Sequence, residues 1–519
     1  MPKQLTIKEY QNLYGIAEKN SILISIAKDG TGDYNCSGTD WDGNDQEIIN
    51  KAISEAPVGS IILFKPATYY LKGKGGNKTI YGYWGSIHIE KRLHFIAYGA
   101  IFNAKQGVDE NEYEVPEKDE YAIVFQSSSD NSISGSSWRG GEVNFTDDSS
   151  PSGGGGGLWI NSNLLSTQYE TKDIIVEDLI VRNTADNTFG TYGIYIEQSV
   201  NIKINNCSFY HSKSSAVTWD GSDTDDGTDY NLFLNNCYFN SCARGIRNNQ
   251  DTYFLRGFTI SNCQFDDCEY GIVLGASYNG TVNNCDLKNI TESALQLNGS
   301  GKDLNINLSN INIDTTGSDA VGISGNYVQL ENIFIKNTGT YGIHVNNGVS
   351  GNLVFNNVVI ENTSPSGDGR GIYFYWGSGD LAENVIISNF KYKGVHNGIM
   401  IKGRRNVNIS NCVIEDTAAS STNYGLYIYN SCEDIFASNI EVRGYSNGKR
   451  TTFSNTGVKK VVNCTDYSRD LDDCPIVDTG TTSPSSTPSK SGDIFVDTTA
   501  GNVYIAKGTS SSADWIQVN

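Results

Sequence analysis

The chain has 519 residues and a formal net charge of −21, with 55 glycines but only 9 prolines. This acidity argues against a nucleic-acid partner, because phosphate binding requires a basic surface and basic residues cluster only at Arg404-Arg405 and Lys459-Lys460. No stretch approaches the ~20 consecutive apolar residues that a membrane-spanning helix needs. We therefore expect neither nucleic-acid binding nor membrane insertion.

The first predicted elements are a helix and a strand. Apolar residues recur with helical spacing over residues 44–56, and Asp45 is a candidate cap for that helix. The apolar run Ser60 to Phe64 then predicts a buried strand, and the segment 65–71 follows it with a proline and two tyrosines.

A repeat occupies most of the remaining chain. The phrase Asn-Asn-Cys, or a degenerate form of it, ends at twelve apolar anchor residues between Leu179 and Cys464, with an average spacing of about 26 residues. Asparagine tolerates the left-handed backbone of a tight bend, and its side chain can hydrogen-bond to the equivalent residue of the next turn. Each repeat is therefore predicted to be one turn of a solenoid.

A second phrase, Gly-Ile-x-Ile, lies between the anchors, for example at Gly193 to Ile196 and Gly342 to Val345. Each turn then holds three short strands that alternate inward and outward residues. A single turn cannot bury its inward side chains, but turns stacked at ~4.8 Å can. These patterns predict an all-β fold, a right-handed parallel β-helix solenoid with an N-terminal capping helix and a small C-terminal β module.

The two ends carry a family resemblance. The helix, the strand and the turn between Asp40 and Lys72 resemble the entrance of pectate-lyase-superfamily β-helix proteins, and Tyr34 to Asp40 resembles the lead-in of their viral members. One departure is Ala67, where the family usually has glycine. Residues 492–519 resemble a short β unit of phage tail fibres. The resemblance implies a viral tailspike or tail-fibre type of protein, a homotrimer that contacts other virion tail proteins.

The predicted organisation has six segments. They are an N-terminal segment for attachment at 1–35, the entrance and cap at 36–100, early turns with long loops at 101–165, the parallel β-helix at 166–478, a Ser/Thr/Pro linker at 479–491 and the C-terminal β module at 492–519. The chain has 11 cysteines, and Cys207, Cys237, Cys263 and Cys285 share one anchor position. We expect these four to be stacked free thiols in the core.

The densest carboxylate cluster is a loop from Asp220 to Asp229. Asp223, Asp225 and Asp226 are candidate calcium ligands, since calcium prefers oxygen ligands in a flexible loop. A catalytic loop and a solvated acidic turn are the alternatives, so calcium is the one cofactor that the sequence suggests.

Catalytic candidates come from the outward positions of the Gly-Ile strands. Glu197 and Asp220 align on adjacent turns, with backbones ~4.8 Å apart. Carboxyl groups ~5–5.5 Å apart suit a retaining glycosidase, and wider spacing suits an inverting one. A polysaccharide lyase would instead use Arg247 or His344 to neutralise a uronate. The alternative that ordinary surface residues happen to align stays open.

Aromatic residues on the same face are candidate sugar-binding groups, because a flat ring can stack on a sugar. They are Tyr192, Tyr195, Tyr270, Tyr341, Tyr373, Tyr375, Trp376 and Tyr427. In the pectate-lyase superfamily the corresponding sheet often floors the substrate groove, which is an implication of the resemblance alone.

These observations predict a tailspike-like virion protein that binds, and in one version depolymerises, a host cell-surface polysaccharide. Residues Met1 to Tyr10 lack a secretion-signal pattern. Release inside a virion, an unusual export route and a trimmed chain fit this equally well, and the expected location is virion or extracellular. The alternatives are a non-enzymatic adhesin or structural protein of the virion, and a cellular extracellular lyase or hydrolase.

Overall fold

The structure is a computed structural model of the chain. It describes residues 9, 22–39, 44–71, 84–104, 120–127, 132–145, 155–161, 171–184, 192–221, 229–248, 255–299, 303–346, 349, 351–363, 369–375, 382–418, 423–429, 432–445, 451–453, 457–464, 477–489 and 491–518. The chain divides into two compact units, Met1–Val328 and Gln329–Asn519. Among the described residues, no helix has the length and apolar character that crossing a bilayer would require.

The entrance of the first unit contains the predicted helix, Asn44–Glu55, which buries Ile49, Ala52 and Ile53. The carboxylate of Asp45 accepts hydrogen bonds from the backbone N–H groups of Gly38 (2.8 Å) and Tyr70 (2.9 Å). It also pairs with Lys28 at 2.7 Å. The prediction of Asp45 as a helix cap is therefore wrong, because its partners lie outside the helix and it ties the helix to the flanking strands.

Two parallel sheets make up the first unit. The Gly-Ile sheet is named for the repeat phrase that its central strands carry, and its strands pair in chain order. Its strands are Trp84–Ile89, Glu120–Gln126, Gly155–Asn161, Tyr192–Glu197, Ser215–Asp220, Arg244–Asn248, Tyr270–Leu274, Leu295–Leu297 and Val321–Ile323.

The second sheet of this unit, the asparagine sheet, carries the Asn-Asn-Cys phrase. Its strands are Leu23–Ala27, Tyr34–Asn35, Ile61–Phe64, Ala67–Leu71, His94–Ile96, Ala100–Ala104, Ser137–Arg139, Glu142–Phe145, Ile175–Glu177, Ile180–Arg182, Lys203–Asn205, Ser208–Tyr210, Leu232–Asn235, Tyr238–Asn240, Leu255–Ser261, Gln264–Asp266, Ser277–Ile290 and Asp303–Thr316. The chain passes to the second unit within the strand Asn326–Thr338.

The second unit repeats both sheets. Its Gly-Ile strands are Tyr341–Val345, Arg370–Phe374, Asn397–Ile401, Leu426–Ile428 and Thr451–Phe453. Its asparagine strands are Gly351–Thr363, Ala382–Ser388, Lys391–Gly394, Arg404–Asp416, Glu433–Arg443 and Gly457–Cys464. Parallel pairing between successive turns runs through both sheets of this unit.

Asparagine has the role that the repeat predicts. Asn206 and Asn236 have left-handed backbones, with φ of 56° and 54°. The side-chain amide of Asn236 donates to Asn206 Oδ1 at 2.8 Å, and Asn284 donates to Asn262 at 2.6 Å. A left-handed backbone is costly for most residues with a side chain, but asparagine visits it routinely. The bend and the ladder of amides therefore depend on the same residue.

The predicted row of free thiols is confirmed in the core of the first unit. Cys207, Cys237, Cys263 and Cys285 are free and buried, and each thiol donates to the backbone carbonyl two residues before it, at 3.2 to 3.5 Å. Beside them the rings of Phe209, Phe239 and Phe265 stack with centroids 5.1 and 4.5 Å apart. Stacking of identical side chains on successive turns fills the interior of this unit.

The C-terminal part of the second unit forms a separate small sheet. Val477–Gly480 pairs in parallel with Ile494–Asp497, which pairs antiparallel with Asn502–Ala506 and through it with Trp515–Gln517. A short 3₁₀ helix, Ser512–Asp514, precedes the last strand. The small sheet therefore begins earlier than the predicted module 492–519. Its first strand, Val477–Gly480, ends inside the predicted linker 479–491.

Candidate functional site

The Gly-Ile sheet of the first unit has the predicted register. Ile194, Val217 and Ile246 are paired on successive strands, and all three are fully buried inside the solenoid. By alternation, the residues that follow them point outward. These are Tyr195, Thr218 and Arg247, which are also paired strand to strand, as the sequence predicts.

Glu197 and Asp220 are direct partners on adjacent parallel strands. Backbones so paired lie ~4.8 Å apart, so the two carboxyl groups share one part of the outer face. The hydroxyl of Tyr195 donates to Asp220 Oδ2 at 2.8 Å. Asp220 is only 6% exposed and Thr218 is fully buried, whereas Glu197 is half-buried. The expectation that these outward positions all face solvent is therefore wrong for Asp220 and Thr218.

The environment of Glu197 changes its acidity. Burial raises the pKa of Glu197 from 4.5 to about 7, and the negative charge of Asp220 adds to the rise, while the Trp159 side chain offsets a part of it. Removing a carboxylate from water disfavours its charged form, and so does a second carboxylate nearby. Glu197 is thus a group that can hold or release a proton near neutral pH, which is the property that a general acid needs.

Two residues beside the pair were not among the sequence predictions. Trp159 and Asn161, on the strand Gly155–Asn161, are in register with Tyr195 and Glu197. The rings of Trp159 and Tyr195 stack with centroids 6.1 Å apart. Asn161 is fully buried, and neither its Nδ2 nor its Oδ1 has a hydrogen-bond partner. A buried amide without partners is costly, so this one is a candidate for contact with a ligand.

A signal for this strand was present in the sequence. Gly157-Leu158-Trp159-Ile160-Asn161 has the same pattern as Gly193-Ile194-Tyr195-Ile196-Glu197, with apolar, aromatic, apolar and polar residues after a glycine. The segment was assigned to early turns with long loops because no Asn-Asn-Cys phrase accompanies it.

The other predicted site residues of the first unit lie on the same strand as Glu197 or on the two strands that follow Asp220. Tyr192 is buried, with its ring 5.1 Å from that of Tyr195. Arg247, one strand beyond Asp220, is close enough to interact electrostatically with it, and burial lowers the pKa of Arg247. Tyr270 lies on the next strand again, with the guanidinium of Arg244 over its ring at 5.5 Å. The structure thus groups Glu197, Asp220, Arg247, Tyr192 and Tyr195.

The remaining candidates form an aromatic cluster on the Gly-Ile sheet of the second unit. His344, Tyr373 and Tyr427 lie in one row of outward positions that also includes Met400. The His344 ring is 5.5 Å from the Tyr373 ring and 4.7 Å from that of Tyr341. Tyr375 is 48% exposed. His344 and Arg247, the two alternatives for a lyase, therefore belong to different units.

Some predicted residues lie outside the described part of the chain. They are Trp376 and the candidate calcium ligands Asp223, Asp225 and Asp226. Within the described ranges, no group of three or more His, Cys, Asp or Glu side chains is arranged to hold a metal ion. Calcium binding by the acidic loop stays a prediction.

Comparison with solved structures finds similarity to phage proteins. The tailspike protein of E. coli bacteriophage HK620, in complex with a pentasaccharide, is 13% identical with a TM-score of 0.51, over 89% of this chain and 81% of that chain. A mutant of that tailspike with the pentasaccharide is 15% identical with a TM-score of 0.52, over 88% and 81%. Pre-mature gene product 12 of bacteriophage phi29 is 13% identical with a TM-score of 0.49, over 86% and 59%.

Sequence comparison identifies the family. No curated protein sequence matches the chain significantly. The model of the right-handed beta helix region, however, matches residues 169–311 and 293–465, which together are more than half of the chain. The predicted parallel β-helix is confirmed by this match, by the parallel sheets of both units and by the fold shared with the phage tailspike. The chain belongs to the right-handed beta helix family.

Proposed function

We propose that this protein is a tailspike-type virion component that binds a host cell-surface polysaccharide on the outer face of its Gly-Ile sheet and cleaves it there. The fold supports this proposal, since the HK620 tailspike of the same fold binds a pentasaccharide. The observation that carries it is the pair Glu197 and Asp220, aligned on adjacent strands with the pKa of Glu197 raised to about 7.

The proposed chemistry is hydrolysis of a glycosidic bond. Glycosidases use one protonated and one ionised carboxyl group at the scissile bond. Glu197, protonated near neutral pH, donates its proton to the leaving oxygen as the bond from that oxygen to the sugar carbon breaks. Asp220, oriented by the Tyr195 hydroxyl, attacks that carbon or activates a water molecule. If Asp220 attacks, water then displaces it from the sugar carbon, supplies the hydroxyl group of the new reducing end and gives its proton to Glu197. If Asp220 instead activates the water, Asp220 takes that proton, and exchange with solvent restores the protonated Glu197 and the ionised Asp220.

A second candidate function is binding without cleavage. The low exposure of Asp220 favours it, because a catalytic carboxyl group must reach the sugar. In this version the same face recognises the polysaccharide, and the protein is an adhesin.

One assay distinguishes the candidates. Capsular and surface polysaccharides of candidate hosts are incubated with the wild type, Glu197→Gln and Asp220→Asn, and both reducing ends and ultraviolet-absorbing unsaturated products are measured. Release of reducing ends without new absorbance, lost in both variants, supports the hydrolase. New absorbance supports a lyase and directs attention to Arg247. A polysaccharide that is bound but never cut leaves the adhesin, and the absence of any binding contradicts the proposal.

Assembly and location belong to the same proposal. We place the protein in a virion tail, as a homotrimer that contacts other tail proteins. Sedimentation analysis of the purified chain tests the trimer directly: a mass of one chain would contradict it. Detection of the protein in purified particles tests the location.

A further inference from the structure

The side chain of Arg370 packs against two tyrosines of the aromatic cluster of the second unit. Its guanidinium lies 3.9 Å from the ring centroid of Tyr373 and 5.3 Å from that of Tyr341. Its Nη1 also donates to the Tyr341 hydroxyl at 3.3 Å. A guanidinium stacked on a ring is held in one plane, and its N–H groups along the edge keep the fork geometry that matches a carboxylate.

Lys402 supplies a second cation to the same surface. Lys402 follows Met400 by two residues and so points outward with it, and its ammonium group lies 4.3 Å from the ring centroid of Tyr429. Tyr427 and Tyr429 are themselves close, with ring centroids 4.0 Å apart. The surface therefore presents two cations among tyrosine rings on neighbouring turns.

These two cations differ from Arg405 of the same unit in their partners. Among the residues that the structure describes, neither Arg370 nor Lys402 forms an ion pair with a carboxylate. Arg405, on the asparagine sheet of the same unit, does so with both Glu383 and Glu433. The charges of Arg370 and Lys402 are therefore not neutralised by an ion pair with any described carboxylate, although the chain as a whole has a net charge of −21.

From this arrangement we infer that the Gly-Ile face of the second unit is a subsite for an acidic saccharide, with Arg370 and Lys402 binding the anionic groups and the tyrosines stacking on the sugar rings. The inference rests on the proposed function, since it assigns a chemical class to the polysaccharide. It also adds Arg370 and Lys402 to the tyrosines that the sequence predicts as sugar-binding groups. Arg370 is the specificity-determining residue, because its fork can bind a carboxylate through two hydrogen bonds.

The test is a binding series with matched saccharides. Fragments of capsular polysaccharides that carry uronate, sialate or pyruvate groups are immobilised beside the same fragments after carboxyl reduction and beside neutral fragments. We expect the wild type to bind an acidic member, to lose it on carboxyl reduction, and to bind it less tightly as salt rises. Arg370→Met combined with Lys402→Met should weaken that binding roughly 10- to 100-fold.

The controls separate charge from folding and from the proposed function. Arg405→Met removes one exposed cation of the same unit and should leave the affinity unchanged. Arg370→Lys keeps the charge but loses the fork, so its affinity should fall between the wild type and the double variant. Thermal unfolding of each variant checks the fold. Exclusive binding or cleavage of neutral fragments would overturn this inference while leaving the proposed function intact. Absence of binding to every saccharide would overturn both.

Discussion

Glu197 and Asp220 occupy paired positions on adjacent parallel strands, and the hydroxyl of Tyr195 hydrogen-bonds to Asp220 from the same face. Their inward neighbours Ile196 and Trp219 are buried in the core of the solenoid. The pair instead places two carboxyl groups together where one of them is driven toward its neutral form. That arrangement is costly for stability at high pH.

The first prediction concerns the pH dependence of stability. The folded-state pKa of Glu197 lies above its ordinary value, so the stabilising effect of protonation is complete below about pH 4.5 and is lost as pH rises through about 7. Glu197→Gln cannot ionise, and above pH 7 it should be more stable than the wild type by on the order of 2–3 kcal/mol. Thermal midpoints of both proteins across this range provide the measurement. If the wild type and Glu197→Gln differ in thermal midpoint by the same amount at low and at high pH, the pKa of Glu197 is not raised by folding.

The second prediction concerns Asn161. Its amide is fully buried without hydrogen bonds, so replacement by an apolar residue of the same shape should be neutral or stabilising, by about 1 kcal/mol. The same Asn161→Leu change should weaken saccharide binding about tenfold if the amide binds a sugar group. Chemical unfolding and binding are measured on one preparation. A loss of stability with unchanged binding would give Asn161 a purely structural role.

The third prediction concerns the bends of the asparagine sheet. Asn236 has a left-handed backbone and donates to Asn206. Asn236→Ala loses the hydrogen bond and is strained, whereas Asn236→Gly loses only the hydrogen bond. Alanine should therefore be the worse replacement by about 1–2 kcal/mol. Unfolding in denaturant compares the two variants, and equal costs would mean that the backbone conformation contributes nothing.

The fourth prediction concerns the row of thiols. Burial raises the pKa of Cys412 to about 12. In the row from Cys207 to Cys285, the neighbouring Cys207 thiol and, after it, burial raise the pKa of Cys237. The thiolate is the reactive form, so these groups should resist iodoacetamide in the folded protein. Cys464 is half-buried and is the internal control, expected to react first. Peptide mass spectrometry measures each rate. Labelling of Cys237 as fast as Cys464 would contradict the buried row.

The sequence predicted the fold well because two physical requirements repeat in every turn. A tight left-handed bend favours asparagine, and an inward position favours an apolar side chain, so the positions of Asn236 and Cys237 recur at the same offsets. The register of the Gly-Ile strands follows from the same alternation, which is why Glu197 and Asp220 were aligned correctly.

The environment of the site was harder to predict. The burial of Asp220 and Thr218 depends on what covers the sheet, and alternation within one strand does not contain that information. Trp159 and Asn161 were missed because the count of turns relied on the asparagine phrase. The charge of the second unit's surface was missed as well, since Arg370 stands before the glycine of its phrase, outside the positions that alternation marked as outward.

The most direct test of the central claim is a crystal structure of Glu197→Gln with an oligosaccharide from a polysaccharide that the protein binds. We expect a sugar chain on the outer face of the Gly-Ile sheet of the first unit, against Tyr195 and within hydrogen-bond reach of Asp220 and position 197. An oligosaccharide bound instead to the asparagine sheet, with these side chains untouched, would contradict it.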